Sequence, residues 1–269
     1  MKFFLFCTMK QIMNFLKRPF VQSLLYFFLA VVLWQWIASF ENYSDLFFPK
    51  PMQVVHFLWE GFVSNGILWS AIAISFKRLI IGYLLSVCVG IPLGMFCSHS
   101  NFLKNTIRKL ALGFQTLPSI CWVPLTLLWF GQSDTAIIFV VIMGSIWSLM
   151  LSTEQSVQRV PEIYIRAATT MGARKFVLFR TVVFPAILPS LVVSMKHSWA
   201  FAWRSLMSAE IYISAISGLG LGQLLHYGRE VQAMDQVVSI IFILTLIGLF
   251  IEHYLFLPIE KLIEKRWGK

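Results

Sequence analysis

"DTAIIFVVIMGSIWSLMLSTEQSVQRVPEIYIRAATTMGARKFVLFRTVVFP" runs from Asp134 to Pro185. Its first part, 135–152, carries no charge. At 1.5 Å per helical residue, such a run approaches the thickness of a bilayer's hydrocarbon core, about 30 Å. Its last part, Arg166 to Pro185, is basic, mixed in polarity and closed by a proline, and apolar sequence resumes immediately beyond it. Two apolar runs with such a segment between them describe two membrane spans joined by an element in water.

Reading outward, comparable runs lie near 21–40, 79–98, 110–130, 186–206 and 236–257, which with 135–152 makes six candidate spans. Composition agrees. The 269 residues are 58% hydrophobic and only 13% charged, whereas soluble domains sit nearer half and a quarter. The expected fold class is therefore all-α, a polytopic membrane protein with six transmembrane helices. We read 1–20 as a cytoplasmic segment, 21–257 as a transmembrane domain with a cytoplasmic insert at 153–185, and 258–269 as a basic cytoplasmic tail.

The net charge of +10 raises the question of nucleic acid, and the position of the cations answers it. Of 22 Lys and Arg residues, sixteen fall on the side that holds both termini and 153–185. Lys50, Lys77, Arg78 and Arg229 fall on the other side, and Lys196 and Arg204 fall within a span. Positive residues gather on the cytoplasmic side of membrane proteins, so both ends are expected inside. The cations are spread over four segments, and no nucleic acid is expected.

Several chemistries are not expected. "KFFLFCTM" is too short an apolar run, too soon interrupted by Lys10, for a signal-peptide core, and bulky Phe6 argues against a lipoprotein site before Cys7. Cys7, Cys88, Cys97 and Cys121 show no C-x-x-C spacing, and the five histidines show no ligand pairing. No phosphate-binding G-x-x-x-x-G-K-[ST] occurs. Neither a metal nor another cofactor is expected, and no catalytic residue.

The segment 161–185 reads as a short amphipathic helix followed by a second one. Pro161 and Glu162 suit a helix start, because proline gives up no needed N–H there and a carboxylate suits the positive end of the dipole. Gly172 is a natural stop. Ile163, Ala167 and Met171 recur at i, i+4 and i+8, with Glu162, Arg166 and Thr169 on the other side. An apolar face this small suits a groove on another protein better than lipid, where larger side chains are expected. A second helix, Lys175 to Phe184, is expected to return the chain to the membrane, with Pro185 and Pro189 marking the turn into the fifth span.

At these residues the chain resembles the permease subunits of bacterial ABC importers. Their cytoplasmic signature is E-A-A-x3-G-x9-I-x-L-P, and Ala167, Ala168, Gly172 and Pro185 stand at matching positions. Arg166 stands where the pattern has Glu, Val182 where it has Ile and Phe184 where it has Leu; Glu162, one turn earlier, offers a carboxylate instead. "LFFPKPMQVV", "GIPLGM", "LPSICWVPLTLLWFG", "MSAEIYISAISGLGLGQLL" and "DQVVSIIFILTLIG" extend the likeness over roughly 45–265, toward the branch that imports nitrate, sulfonates and taurine. The resemblance implies a permease subunit of an ATP-driven importer, without catalysis of its own, in a bacterial inner membrane. Its implied partners are cytoplasmic ATP-binding subunits, a periplasmic or lipid-anchored solute-binding protein, a second permease copy and the lipid bilayer. Glu162, Arg166, Ala167, Ala168, Gly172 and Pro185 then form the element that couples to the ATPase.

Candidate pathway residues come from cost. Pro118 and Pro124 should each remove a helical hydrogen bond and free carbonyls near Phe114 and Ile120; such backbone lines a cavity or simply kinks the span. Lys196 and Arg204 are eight residues apart, about 12 Å along a helix, and a cation at mid-bilayer costs about 2.5–3.5 kcal/mol. Arg204 either attracts an anionic solute or pairs with Glu210, which needs a bend because six residues do not share a face. Gly218, Gly220 and Gly222 fit an external loop or a re-entrant turn. The solute is expected to be a small anion such as nitrate, a sulfonate or taurine. A vitamin-precursor importer and a secondary transporter are the alternatives, the latter lacking acidic residues deep within a span.

Overall fold

The computed structural model describes residues 19–39, 48–99, 101–215 and 217–267. The N-terminal run with Cys7, most of the segment 1–20 and Lys269 lie outside them. In chain order the helices are α1 (Pro19–Ala38), α2 (Pro51–Trp59), α3 (Ile67–His99), α4 (Asn101–Thr116), α5 (Val123–Phe130), α6 (Asp134–Gln158), α7 (Glu162–Thr170), α8 (Lys175–Leu178), α9 (Phe184–Tyr212), α10 (Leu221–Glu230), α11 (Met234–Ile251) and α12 (Leu257–Trp267). A 3-10 turn, Ser119–Trp122, precedes α5, and π-turns occupy Glu60–Ser64, Phe179–Val183 and Glu252–Phe256. No strand occurs among the described residues.

The centre of the bundle is the packing of α3 and α9 on either side of α6. Leu79 and Tyr83 of α3, Val140 and Val141 of α6, and Ala202 and Leu206 of α9 form its buried core. Lipid is as apolar as these side chains, so burial alone does not hold membrane helices together, and close approach with interhelical hydrogen bonds must contribute. Ser145 Oγ lies 2.8 Å from Ser86 Oγ, Ser198 Oγ donates to the Ser145 carbonyl at 3.0 Å, and Tyr83 Oη donates to the Met195 carbonyl at 2.8 Å. Such bonds average about 0.6 kcal/mol in a membrane, so their main effect here is to set register among three helices.

Among the described residues, four helices are long and apolar enough to cross a membrane: 67–98, 134–158, 176–212 and 234–266. A fifth span arises if the bent pair 106–116 and 119–130 is counted as one. The expected third span, 110–130, is thus not a kinked helix; α4 and the α5 segment meet at 101°. Pro118 disfavours helical backbone at Leu117, and Pro118 itself is extended, with ψ 135°. The carbonyls near it are not freed. The Phe114 carbonyl accepts from Leu117 N–H and the Ile120 carbonyl from Val123 N–H. Pro124 lies in the first turn of α5, where its missing N–H costs no bond.

Other boundaries move as well. α3 begins twelve residues before the expected 79, so Lys77 and Arg78 lie within a helix, not in an external segment. Pro185 and Pro189 mark no turn, since residues 176–212 run as one long helix. The π-turn ends with the Phe184 N–H bonded to the Phe179 carbonyl, shifting the ladder just before Pro185, which has no N–H to give. The last helix likewise continues through its π-turn to Trp267, so no backbone break separates the expected tail at 258. Of the cysteines, Cys97 is buried against Ala111 and Met150, while Cys88 and Cys121 are exposed.

Candidate functional site

α7 projects from the bundle with none of its residues buried. It ends in a Schellman motif. Gly172 has φ +88°, its N–H donates to the Thr169 carbonyl at 3.0 Å, and Ala173 N–H donates to the Ala168 carbonyl at 2.9 Å. A side chain at that φ is strained, which is why glycine serves. Ile163 is 70% and Met171 88% exposed, with Ala167 exposed between them. The apolar face therefore points away from the chain's own core. Arg166 Nη2 lies 2.9 Å from Glu162 Oε1, so the cation that replaces the signature's acid is partnered by the carboxylate one turn before it. Both are largely exposed, so the pair adds little stability. Pro185 lies apart from this group, in the first turn of α9.

A second locus lies along α9. The long apolar helix from 176 to 212 carries Lys196, His197 and Arg204. His197, Ala200 and Arg204 are exposed on one stripe, followed one turn on by half-buried Ser208. A polar stripe at membrane depth is costly against lipid and belongs against water or protein. Arg204 Nε donates to the Ala200 carbonyl at 3.2 Å, and its Cζ sits 4.6 Å from the Phe201 ring centroid. Among the described residues no carboxylate lies within ion-pair distance of Arg204.

Two cavities meet at this arginine. One, about 270 Å³, lies in the elbow between α4 and α5, where Gln115, Thr116, Pro118 and Ser119 face Arg204, Ser205 and Ser208. The other, about 500 Å³, is walled by Trp199, Trp203 and Phe256 and holds Lys196, His197, Arg204 and Glu252. Lys196 Nζ is 2.9 Å from Glu252 Oε1 and 3.8 Å from Glu260 Oε2. The fold thus brings Pro118 and Arg204 to one cavity and Lys196 and Arg204 to another, while Pro124 lines neither.

Glu210 is elsewhere, and the expected pair with Arg204 does not form. Its carboxylate is fully buried, 2.8 Å from Arg78 Nη1 and within 2.9 Å of Ser75 Oγ, and it accepts from Gly222 N–H at 3.0 Å. Arg78 Nε donates to Asp134 Oδ1 at 2.7 Å, and Nη2 to Ser217 Oγ at 2.9 Å and the Gly218 carbonyl at 3.1 Å. Gly218 and Gly220 precede α10 and Gly222 lies in its first turn, with Gly220 and Gly222 packed directly against this carboxylate. Arg78 escaped the sequence reading because a Lys-Arg pair looks like the end of a span. The available signal was the small and polar stripe Ala71, Ser75, Gly82 and Ser86 around it at helical spacing, which marks a buried helix face. Glu154 was missed likewise; it is fully buried, with Arg108 Nη1 3.3 Å away.

The chain is a helical bundle with a cation-bearing stripe along α9 and an exposed, capped helix at α7. The chain belongs to the family of binding-protein-dependent transport system inner membrane components, whose model matches residues 90–257. It is 33% identical over 228 residues to an ABC transporter permease protein of Methanocaldococcus jannaschii, covering 84% of each chain. It is 26% identical over 243 residues to the nitrate import permease protein NrtB of Leptolyngbya laminosa, covering 87% of this chain and 84% of the relative. To the taurine transport system permease protein TauC of Escherichia coli it is 28% identical over 231 residues, covering 83% and 82%. A chain in an inward-facing structure of the MetNI methionine ABC transporter shares the fold, with a TM-score of 0.60, 19% identity and coverage of 73% of this chain and 94% of that one. The protein is an ABC importer permease of the inner membrane, and the family places ATP hydrolysis and solute capture in partner subunits.

Proposed function

We propose that the chain carries a small anionic solute into the cytoplasm as one of two identical permease subunits, with Arg204 in the pathway. The observation that carries the reading is the exposed α9 stripe, on which a guanidinium without a carboxylate partner opens into the Pro118 elbow cavity. A cation so placed is unfavourable unless water, a counter-charge or a ligand reaches it. Five donors suit a sulfonate or a planar oxyanion, and five neutral groups, Gln115, Thr116, Ser119, Ser205 and Ser208, surround the same space. Relatives whose names specify nitrate and taurine, an oxyanion and a sulfonate, support the same chemistry.

In this reading the chain makes six spans with both termini and 153–185 in the cytoplasm. α7 docks on a cytoplasmic ATPase through Ile163, Ala167 and Met171, and Glu162, Arg166, Ala168 and Gly172 hold its shape. A solute-binding protein delivers from the opposite side. ATP-driven closure of the ATPase pair moves α7, and the continuous helix from 176 to 212 carries that motion to Arg204, since the two ends of one helix cannot move independently. The permease forms no covalent intermediate; its contribution is a field and a path.

Arg204→Gln tests the reading because it keeps length and some donors but removes the charge. Uptake by the whole transporter should fall at least about tenfold at sub-saturating solute, with expression and ATPase docking retained. Normal uptake in a stable Arg204→Gln complex would leave the cation as a side chain that snorkels to water and would end the anion reading for this residue.

A further inference from the structure

We propose that Lys196 is a second, inner station for the anion, and that Glu252 is a built-in anion that the passing solute displaces from it. The inference rests on the pathway reading of Arg204 and adds to it a residue, a partner and an exchange.

The geometry comes first. Lys196 and Arg204 line the same cavity of about 500 Å³, within the range of small-molecule sites. Lys196 lies eight residues nearer the N-terminal end of α9, two turns along the same helix and about 12 Å. If 153–185 is cytoplasmic, that is the inward direction. A solute leaving Arg204 for the cytoplasm meets Lys196 next.

The pairing is the second observation. A buried ion pair that serves only to neutralise a cation is usually closed off and fully hydrogen-bonded. This one is open: the side chain of Lys196 is 27% exposed and that of Glu252 54%. One ammonium faces two carboxylates, Glu252 at 2.9 Å and Glu260 at 3.8 Å, so Lys196 keeps a counter-charge even when Glu252 lets go. Glu252 is also the first residue of the π-turn Glu252–Phe256, a distortion that often accompanies function in helices. Three π-turns occur among the described residues, and this one brings a carboxylate to a cation on the α9 stripe.

The chemistry follows. An ammonium without a partner would hold an anion tightly and release it slowly. A tethered carboxylate at 2.9 Å competes for the same donor at high local concentration, so a solute can be exchanged off Lys196 without leaving a bare charge at membrane depth. Arg204 receives and Lys196 with Glu252 releases.

The test needs no knowledge of the physiological solute. Ala200 is exposed on the stripe between the two cations and lines the same cavity. Ala200→Cys is placed in a permease whose own cysteines are replaced, assembled with its ATPase. Its reaction is measured with two membrane-impermeant methanethiosulfonates, one bearing a sulfonate and one a trimethylammonium, each normalised to a free thiol. We expect the sulfonate reagent to react about tenfold faster, the order by which a cationic cleft raises local anion concentration. Glu252→Gln, which leaves the ammonium only the more distant Glu260 carboxylate, should raise that ratio at least about threefold, and Lys196→Met with Glu252→Gln should lower it below the parent value. If the ratio falls with Arg204→Gln but ignores both changes at 196 and 252, the inner station is wrong and the pathway reading stands. If neither reagent reaches Ala200→Cys in any conformation, with ATP or without, both readings fall. Should the double variant not assemble, Glu252→Gln alone decides, and an unchanged ratio overturns the proposal.

Discussion

Arg78 and Glu210 stand 132 positions apart in the chain and meet at 2.8 Å inside the bundle, the one 2% and the other 0% exposed. Around them α3, the start of α6, the end of α9, Ser217 and Gly218, and the first turn of α10 are tied by hydrogen bonds to two side chains. Removing one partner strands the other charge at low dielectric, whereas removing both does not.

Glu210→Gln or Arg78→Met should therefore destabilise the permease by about 3–5 kcal/mol. The double change should recover a large part of that loss, because no unpaired charge remains. Thermal unfolding of the detergent-purified complex reads both. Additive losses in the double variant would show that the pair is not an energetic unit.

Gly220→Ala should be costly for a different reason. A Cβ there would fall 2.3 Å from Glu210 Oε1 and about as close to Oε2, so either the carboxylate leaves Ser75 and Arg78 or α10 shifts. Gly113→Ala, with nothing within 4 Å of its Cβ, is the control in the same assay. Equal melting temperatures for the two variants would contradict the packing described.

Gly172→Val adds a branched side chain at φ +88° where space is open. The strain falls on the backbone alone, on the order of 1–3 kcal/mol, and is relieved by unwinding the end of α7. Membrane insertion should be normal while co-purification of the ATPase, or transport per ATP hydrolysed, declines. A wild-type yield of complex with wild-type uptake would remove α7 as the coupling element.

Orientation is tested by labelling. Thr170→Cys on α7 should react with an impermeant maleimide only from the cytoplasmic side, and Leu219→Cys, in the exposed loop beside Glu210, only from outside. Labelling of Thr170→Cys in intact cells would invert the topology.

The membrane class and the α7 helix with its stop at Gly172 were legible in the sequence. Each depends on local facts: run length, side-chain charge, and the backbone freedom of one glycine. The bounds of the spans were not. Hydropathy cannot see that Pro118 sends α4 and α5 apart at 101°, nor that α3 runs on past Lys77 and Arg78, since a window counts a cation as a cost whether or not it finds a partner.

Pairing lay beyond the sequence altogether. Arg204, Glu210, Lys196 and Arg78 are all expensive residues, and cost marked three of them as worth explaining. Which carboxylate answers which cation depends on helices brought together from distant parts of the chain. Arg78 takes Glu210 and Asp134, Lys196 takes Glu252 and Glu260, and Arg204 is left facing a cavity. A charge-assisted hydrogen bond needs donor and acceptor within about 3 Å, so only the tertiary structure decides which charge is a staple and which is free to meet a solute.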